Sequence, residues 1–191
     1  MSIGKLSSWG RYPRFPQTGH GIGWRSELPG ELARVAAEHG TLLPFGNGRS
    51  YGDSCLATSD QVLHLRPLDR FISADWQTGI IRAEAGVTLD EVLRLAIPRG
   101  WFLSVTPGTK FATLGGAVAN DVHGKNHHVR GSFGCHVRRF GLVRSDRGRL
   151  EVAPGDADGL FAATIGGLGL TGIIDWVELQ LMPIKSSLVD V

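Results

Sequence analysis

The chain has 191 residues, enough for one well-packed core or two small lobes, and its hydrophobic fraction of 42% excludes a disordered protein. The net charge is +2 and no block of Lys or Arg stands out, so we expect no nucleic-acid partner. Glycine is the outlier, with 27 residues in clusters rather than at a regular period, which excludes collagen and a simple linker.

Nothing in the sequence indicates a membrane or a secreted protein. Met1–Lys5 has no apolar run of the kind found in signal peptides, and no stretch approaches ~18 apolar residues. Cys55 and Cys135 show no metal or disulfide spacing. We therefore expect a cytoplasmic protein without an integral membrane segment.

The first third of the chain predicts an arm, a helix, a strand and a loop. Residues 1–19 are irregular, and their aromatic and basic side chains suit either an arm packed on the core or a base-stacking surface. Apolar spacing predicts a helix from Pro29 to His39 that Gly40 ends. A short buried strand follows at residues 42–45, and the glycine-rich loop GNGRSYGD occupies residues 46–53.

The GNGRSYGD loop has two interpretations. A dinucleotide-binding Rossmann motif requires a helix directly after the glycines, and residues 54–60 (SCLATSD) form a poor helix. The loop therefore either holds a phosphate with its own backbone N–H groups or is a simple glycine turn.

The remaining elements alternate between strands and short helices. A capping box at Thr88 and Glu91 predicts the start of a helix, and Asp156 is expected to cap a short helix that carries Leu160 and Phe161. Strands are predicted at residues 62–65, 71–75, 79–84, 101–105, 137–145, 149–153 and 173–182.

The stretch from Thr106 to His128 is the most unusual. A turn at residues 107–109 is followed by Thr113, a candidate helix N-cap, and by Gly115 and Gly116. Two glycines in a first helical turn cost about 1 kcal/mol each relative to alanine, which suits a ligand lying close to exposed backbone N–H groups. The alternative is a helix that its glycines destabilise and that ends in a solvated polar loop.

A third glycine cluster lies at residues 166–172. Three such clusters in one small domain indicate one long ligand that is touched at three places. Backbone N–H groups can neutralise a diphosphate without lysines. The ligand therefore resembles a dinucleotide.

Three motifs together resemble the PCMH-type FAD-binding domain of the vanillyl-alcohol oxidase superfamily. They are GNGRSYGD at 46–53, PGT and TLGGAVANDVHGKNHH within 107–128, and GGLGLTGII at 166–174. The likeness runs from about Trp9 to Pro183. Its most specific part, HGKNHH followed by GSFG at 131–134, is most similar to the group of decaprenylphosphoryl-ribose 2′-oxidases, which work with a reductase in cell-wall arabinan synthesis.

The resemblance implies an α+β fold with two lobes, residues 20–83 and 84–185, that face each other across FAD. It also implies an oxidoreductase in which a base takes a sugar or polyol hydroxyl proton while hydride passes to flavin N5. His123 and Lys125 are the expected catalytic residues. The expected cofactor-binding residues are Phe45, Gly46, Asn47, Gly48, Arg49, Ser50, Tyr51, Gly52, Asp53, Ser54, Gly108, Thr113, Leu114, Gly115, Gly116, Asn120, Asp121, His123, Gly124, Gly169 and Ile174.

Two further expectations follow from the resemblance. Relatives that bind flavin covalently through the first loop have a histidine where this chain has Arg49, so the FAD should be non-covalent. Family members continue into a substrate (cap) domain, of which residues 186–191 would be the start. The cap is thus expected from a longer protein or a partner chain, and we expect the 191 residues alone to bind FAD weakly and to oxidise no sugar.

Other site classes are less well supported. His123 and His127 have the i, i+4 spacing of a metal pair, but Gly124 weakens the helix between them and no third ligand has a useful spacing, so we expect no metal. No GxSxG motif indicates a hydrolase. The alternatives are a flavin- or nucleotide-binding module without turnover and an alditol- or aldonolactone-oxidase relative.

Overall fold

The computed structural model describes residues 6–188, so the outer parts of the predicted arm and of the 186–191 segment, residues 1–5 and 189–191, lie outside it. The helices are α1 (Leu28–His39), α2 (Leu89–Ala96), α3 (Leu114–Ala119), α4 (His127–Arg130) and α5 (Leu160–Thr164). The strands are β1 (Thr18–Gly21), β2 (Leu43–Phe45), β3 (Gln61–His64), β4 (Phe71–Asp75), β5 (Ile80–Glu84), β6 (Trp101–Phe102), β7 (Val137–Arg144), β8 (Gly148–Val152), β9 (Ile173–Gln180) and β10 (Met182–Pro183).

The first lobe is a parallel three-stranded sheet in the order β1-β3-β2, covered by α1. A proline in the first turn suits the start of α1, and Gly40, at φ 80°, ends it by donating its N–H to the carbonyl of Ala36 at 2.8 Å. Leu28, Leu32 and Val35 are the buried face of this helix. The predicted helix is confirmed within one residue at its start.

The second lobe is an antiparallel five-stranded sheet in the order β4-β5-β9-β7-β8, with α2, α3 and α5 on its apolar face. The predicted capping box starts α2: Thr88 N donates to Glu91 Oε2 at 2.7 Å, and Glu91 N donates to Thr88 Oγ1 at 3.3 Å. Asp156 accepts from the N–H groups of Leu160 and Phe161, as predicted for the start of α5. The main core fills the space between sheet and helices.

The division between the lobes lies earlier than the sequence predicts. Strands β4 and β5 belong to the five-stranded sheet, because they pair as a hairpin and β5 also pairs with β9. The chain therefore leaves the first sheet at His64 and enters the second at Phe71, whereas the prediction placed the boundary between residues 83 and 84.

Two predicted strands are shorter in the structure. The strand expected at 101–105 ends at Phe102, and the carbonyl of Ser104 instead accepts a hydrogen bond from the Asn126 side chain. The strand expected at 173–182 ends at Gln180, after which β10 pairs with β6 in a separate two-stranded sheet. With one parallel and one antiparallel sheet in separate lobes, the predicted two-lobed α+β class is confirmed.

Candidate functional site

A groove of about 560 Å³ runs between the two lobes. This volume lies within the range of small-molecule and cofactor sites. Its walls are the first glycine loop after β2, the exposed side of α3, the turn at residues 107–109 and the segment from residue 168 to the start of β9. All three glycine clusters of the sequence therefore meet at one site.

The first glycine loop offers unpaired donors to the groove. The backbone N–H groups of Gly46 to Gly52 donate to no acceptor within residues 6–188. Gly48 has φ 61° and no room for a side chain, since a Cβ would collide with the carbonyl oxygen of Ser7. Successive free N–H groups in a turn form an anion-binding nest, so the structure favours the phosphate-holding interpretation of this loop.

The start of α3 does not have the exposed N–H groups that the sequence suggested. Leu114 N donates to the carbonyl of Val87 and Gly115 N to that of Ala85, both at 2.8 Å, and Gly116 N donates to Thr113 Oγ1 at 3.2 Å. The segment before α2 crosses the start of α3 and accepts from Leu114 N and Gly115 N, whereas Gly116 N is bonded to the cap residue Thr113. The short helix therefore contributes surface to the groove, and the expectation of free donors here was wrong.

The two glycines of α3 serve different purposes. A Cβ on Gly115 would lie 2.9 Å from the Ala85 Cβ, so this glycine allows α3 to pack on the end of β5. A Cβ on Gly116 would meet only Thr113 Oγ1, at 3.1 Å, and Gly116 lines the groove. Gly115 is thus a packing requirement, and Gly116 leaves space for a ligand.

The lobes meet beside the groove. A Cβ on Gly46 would lie 2.5 Å from Thr113 Oγ1, so the first loop and the start of α3 are in direct contact. Asn47 Nδ2 donates to the carbonyl of Phe111 at 2.8 Å, and the Arg49 guanidinium lies 5.6 Å from the centre of the Phe111 ring. These contacts fix the width of the groove.

Positive charge lies at this rim. Arg49 lines the groove and makes no ion pair with a carboxylate among residues 6–188. Lys110 is paired with Asp90 at 2.7 Å, and the hydrogen bond from Lys110 holds the pKa of Asp90 below its usual value. Arg49 is therefore the cation of this rim that remains available to an anionic ligand.

The histidine segment is anchored to the loop at residues 104–106. Asn126 Nδ2 donates to the carbonyl of Ser104 at 3.0 Å, and a Cβ on Gly124 would lie 2.6 Å from the carbonyl oxygen of Thr106. The His127 ring donates from Nδ1 to the carbonyl of Gly124 at 3.0 Å and packs edge-on against His123, with ring centres 5.5 Å apart. His123 is thereby held at the groove wall.

Most of the predicted residues share this groove. Those that line it are Gly46, Asn47, Gly48, Arg49, Ser50, Tyr51, Ser54, Gly108, Thr113, Gly115, Gly116, Asn120, His123, Gly169 and Ile174. Those that the structure places outside its walls are Phe45, Gly52, Asp53, Leu114, Asp121, Gly124 and Lys125.

Each buried residue outside the walls has a structural reason. Phe45 packs in a small core beside Val62, and Leu114 is part of the main core. Asp121 accepts a hydrogen bond from Gly134 N at 2.8 Å, which fixes the turn that precedes His123. Lys125 is not buried: it is exposed to solvent and does not line the groove. These residues support the site without forming its surface.

Several wall residues are not among the individually predicted cofactor-binding residues. They are Trp9, Pro44, Cys55, Leu65, Ala85, Pro107, Thr109, Ala112, Ala119, Val122, Leu168 and Gly172. Most are small or apolar and carry no recognisable signal. Cys55 is half-buried, and burial raises the pKa of its thiol, so it is a neutral wall residue. A second cavity of about 360 Å³ adjoins the groove at Pro44, Gly169 and Gly172.

Residues 6–188 contain neither a cluster of metal ligands nor a helix that could span a membrane. No group of three or more His, Cys, Asp or Glu side chains there has a metal-binding arrangement. No helix in this range combines the length and apolar character needed to cross a membrane.

Comparisons with known proteins agree on the type of domain. Residues 29–154 match the family described as an FAD binding domain. The decaprenylphosphoryl-beta-D-ribose oxidase of Mycolicibacterium smegmatis is 40% identical over 82% of this chain, and the D-arabinono-1,4-lactone oxidase assigned in Neurospora crassa is 27% identical over 80%. The fold is similar to that of alkyldihydroxyacetonephosphate synthase, with a TM-score of 0.77 and 19% identity over 91% of this chain.

These relatives are considerably longer than the chain. The matches cover 34% of the Mycolicibacterium protein, 27% of the Neurospora protein and 33% of the synthase. The chain thus spans between about a quarter and a third of the length of each of these proteins.

Proposed function

The chain belongs to the family of FAD-binding domains of flavin-dependent oxidoreductases, and from this premise we propose that it serves an enzyme that oxidises a hydroxyl group of a sugar or polyol. The observation that carries the proposal is the position of His123, an imidazole on the wall of the same groove that the glycine loops line. Imidazole is the side chain most often used for proton transfer near neutral pH.

The groove residues fit FAD, the cofactor of this family. The free N–H groups of Gly46 to Tyr51 and the cation of Arg49 suit a diphosphate. Gly116 leaves backbone surface open beside it, since a Cβ there would meet only Thr113 Oγ1. The second cavity continues the groove at Pro44, which gives an elongated ligand room at this end. Bound FAD supplies the acceptor for a hydride.

We propose a proton-handling role for His123. Its ring makes no hydrogen bond within residues 6–188, so its nitrogens are available to a substrate hydroxyl. The ring packs edge-on against His127, which is itself bonded to the carbonyl of Gly124. Lys125, which does not line the groove, would contact the substrate only where it extends beyond the groove.

The relatives suggest two substrate classes. The Mycolicibacterium relative is named for a ribose joined to decaprenyl through a phosphoryl group, and the Neurospora relative for an aldonolactone. The higher identity of the first relative favours a phosphorylated pentose, with its lipid outside the groove. For that substrate class we also propose a reductase partner that acts on the ketone product.

We further propose that a second domain or chain covers the groove. Arg49, Asn120 and His123 are exposed at its wall, so an aromatic ring held here would leave one face in water. At ~25 cal/mol per Å², every 100 Å² of ring left exposed lowers the magnitude of the binding free energy by about 2.5 kcal/mol, which raises Kd close to a hundredfold. FAD binding by these 191 residues alone should therefore be weak.

Anaerobic flavin reduction tests the proposed function. The full polypeptide that the gene encodes should bleach bound FAD when a phosphorylated pentose is added, more slowly or not at all with aldonolactones, and not with amino acids. The 191 residues alone should show no bleaching. Absence of bleaching of the full polypeptide by every sugar, polyol and lactone would contradict the proposal and favour a binding module without turnover.

The FAD should be held without a covalent bond. Arg49 occupies the position in the first glycine loop at which covalently flavinylated relatives have a histidine, and a guanidinium does not form the linkage that a histidine can. Acid precipitation should leave the yellow flavin in the supernatant. Flavin fluorescence that migrates with the denatured polypeptide on a gel would contradict this.

A further inference from the structure

The N-terminal arm contributes to the wall of the groove. Leu6 packs in the small core beside Phe45, and the carbonyl of Ser7 fills the space that Gly48 leaves open. Ser8 is buried, and its carbonyl accepts from Arg11 N at 3.1 Å. These contacts hold the arm residues 6–11 against the first glycine loop.

Trp9 extends from this anchored segment into the groove. Its side chain lines the groove and is nevertheless 59% exposed. Tyr51, which is 80% exposed, lies beside it with ring centres 5.5 Å apart and planes at 87°. Two perpendicular rings form a corner in which a planar ring can stack on one and meet the edge of the other.

The Trp9 backbone is anchored while its indole is exposed, which suggests that a ligand covers the indole. Exposing large aromatic surface to water is unfavourable at ~25 cal/mol per Å². In this groove the surface lies beside free N–H donors that suit a diphosphate. FAD carries two planar rings, one on each side of its diphosphate, and either ring would cover the indole.

We propose that Trp9 is a cofactor-binding residue whose indole packs against a planar ring of FAD, and that the arm residues 6–11 hold it there. The proposal goes beyond the proposed function, since it depends on FAD as the ligand and not on the substrate. A failed sugar assay therefore leaves it intact, and a failed binding test leaves the sugar proposal intact.

Titration of the cofactor-free protein with FAD tests this role. Trp9→Ala should weaken FAD binding about tenfold or more, because stacking on an aromatic side chain contributes strongly to the affinity for a base. Trp9→Phe should stay within about threefold of the wild type, and Trp9→Leu, which keeps apolar bulk without a ring, should lie between the Phe and Ala variants.

Trp24→Ala is the matched control. Trp24 is 58% exposed, almost as much as Trp9, but its ring stacks on the Arg70 guanidinium at 3.9 Å and does not line the groove. Removing this ring should leave the Kd for FAD within about twofold of the wild-type value. Melting temperatures without cofactor would reveal any general loss of structure, and if Trp9→Ala does not fold, the Trp9→Leu and Trp9→Phe variants decide.

Fragments of the cofactor identify the ring. A weakened Kd for ADP in Trp9→Ala places the indole on adenine, whereas a weakened Kd for FMN, with brighter fluorescence of the bound flavin, places it on isoalloxazine. Either result supports the proposal. Affinities of Trp9→Ala for FAD, ADP and FMN that all lie within about twofold of the wild type would overturn it, as would equal binding by the Leu and Phe variants.

Discussion

Replacement of Gly116 by valine should weaken FAD binding by up to about a hundredfold and leave the fold intact. Gly116 faces the groove, and a side chain there would occupy space that the cofactor needs. The nearest protein atom to a Cβ is Thr113 Oγ1 at 3.1 Å, so the protein itself needs only a small adjustment. Overpacking of this kind costs about 1–3 kcal/mol, and the upper part of that range corresponds to about a hundredfold in Kd. Calorimetric titration with FAD measures the loss.

Two other glycines provide controls for this prediction. Gly30→Val, in α1, has no atom within 4 Å of the added Cβ and should bind FAD like the wild type. Gly115→Val would drive its side chain into Ala85 and should lower the melting temperature of the cofactor-free protein. If Gly116→Val titrates with FAD as the wild type does, the groove beside α3 is not the cofactor site.

Replacement of His123 by alanine should reduce the rate of flavin reduction by substrate at least about a hundredfold. A positioned proton-transfer group contributes about 10²–10⁴ to a rate, and His123 is the imidazole among the described groove residues. Removing it takes no N–H donor from the first glycine loop, so the Kd for FAD should rise no more than about fivefold. Stopped-flow reduction of the full polypeptide separates the two effects.

His128→Ala is the control for His123. Its exposed ring contacts His127, with ring centres 5.9 Å apart, and it does not line the groove. The His128 variant should reduce flavin at the wild-type rate. Equal rates for the wild type and His123→Ala would exclude His123 from proton transfer and shift attention to groups supplied by another domain.

Local sequence signals predicted the elements of the fold well. The capping box at Thr88 and Glu91, the Gly40 stop and the Asp156 cap of α5 each depend on a few neighbouring residues, and each is present in the structure. The glycine clusters also indicated where the groove lies, because a residue without a side chain lets a ligand approach the backbone closely.

Contacts between distant segments were beyond sequence reasoning. The N–H groups at the start of α3 are used by the carbonyls of Ala85 and Val87, which lie nearly thirty positions earlier in the chain. Trp9 reaches the groove only because the arm packs under Gly48. The lobe boundary depends on the pairing of β5 with β9, from the far end of the chain. None of these contacts leaves a local pattern.

Amide hydrogen exchange with and without FAD tests most directly whether the first glycine loop holds the cofactor. The N–H groups of residues 46–52 have no acceptor within residues 6–188, so they should exchange fast in the free protein and slow down when FAD binds. Those of residues 114–117 are already bonded and should change little. Unchanged exchange at 46–52 under saturating FAD, or protection confined to 114–117, would contradict the account.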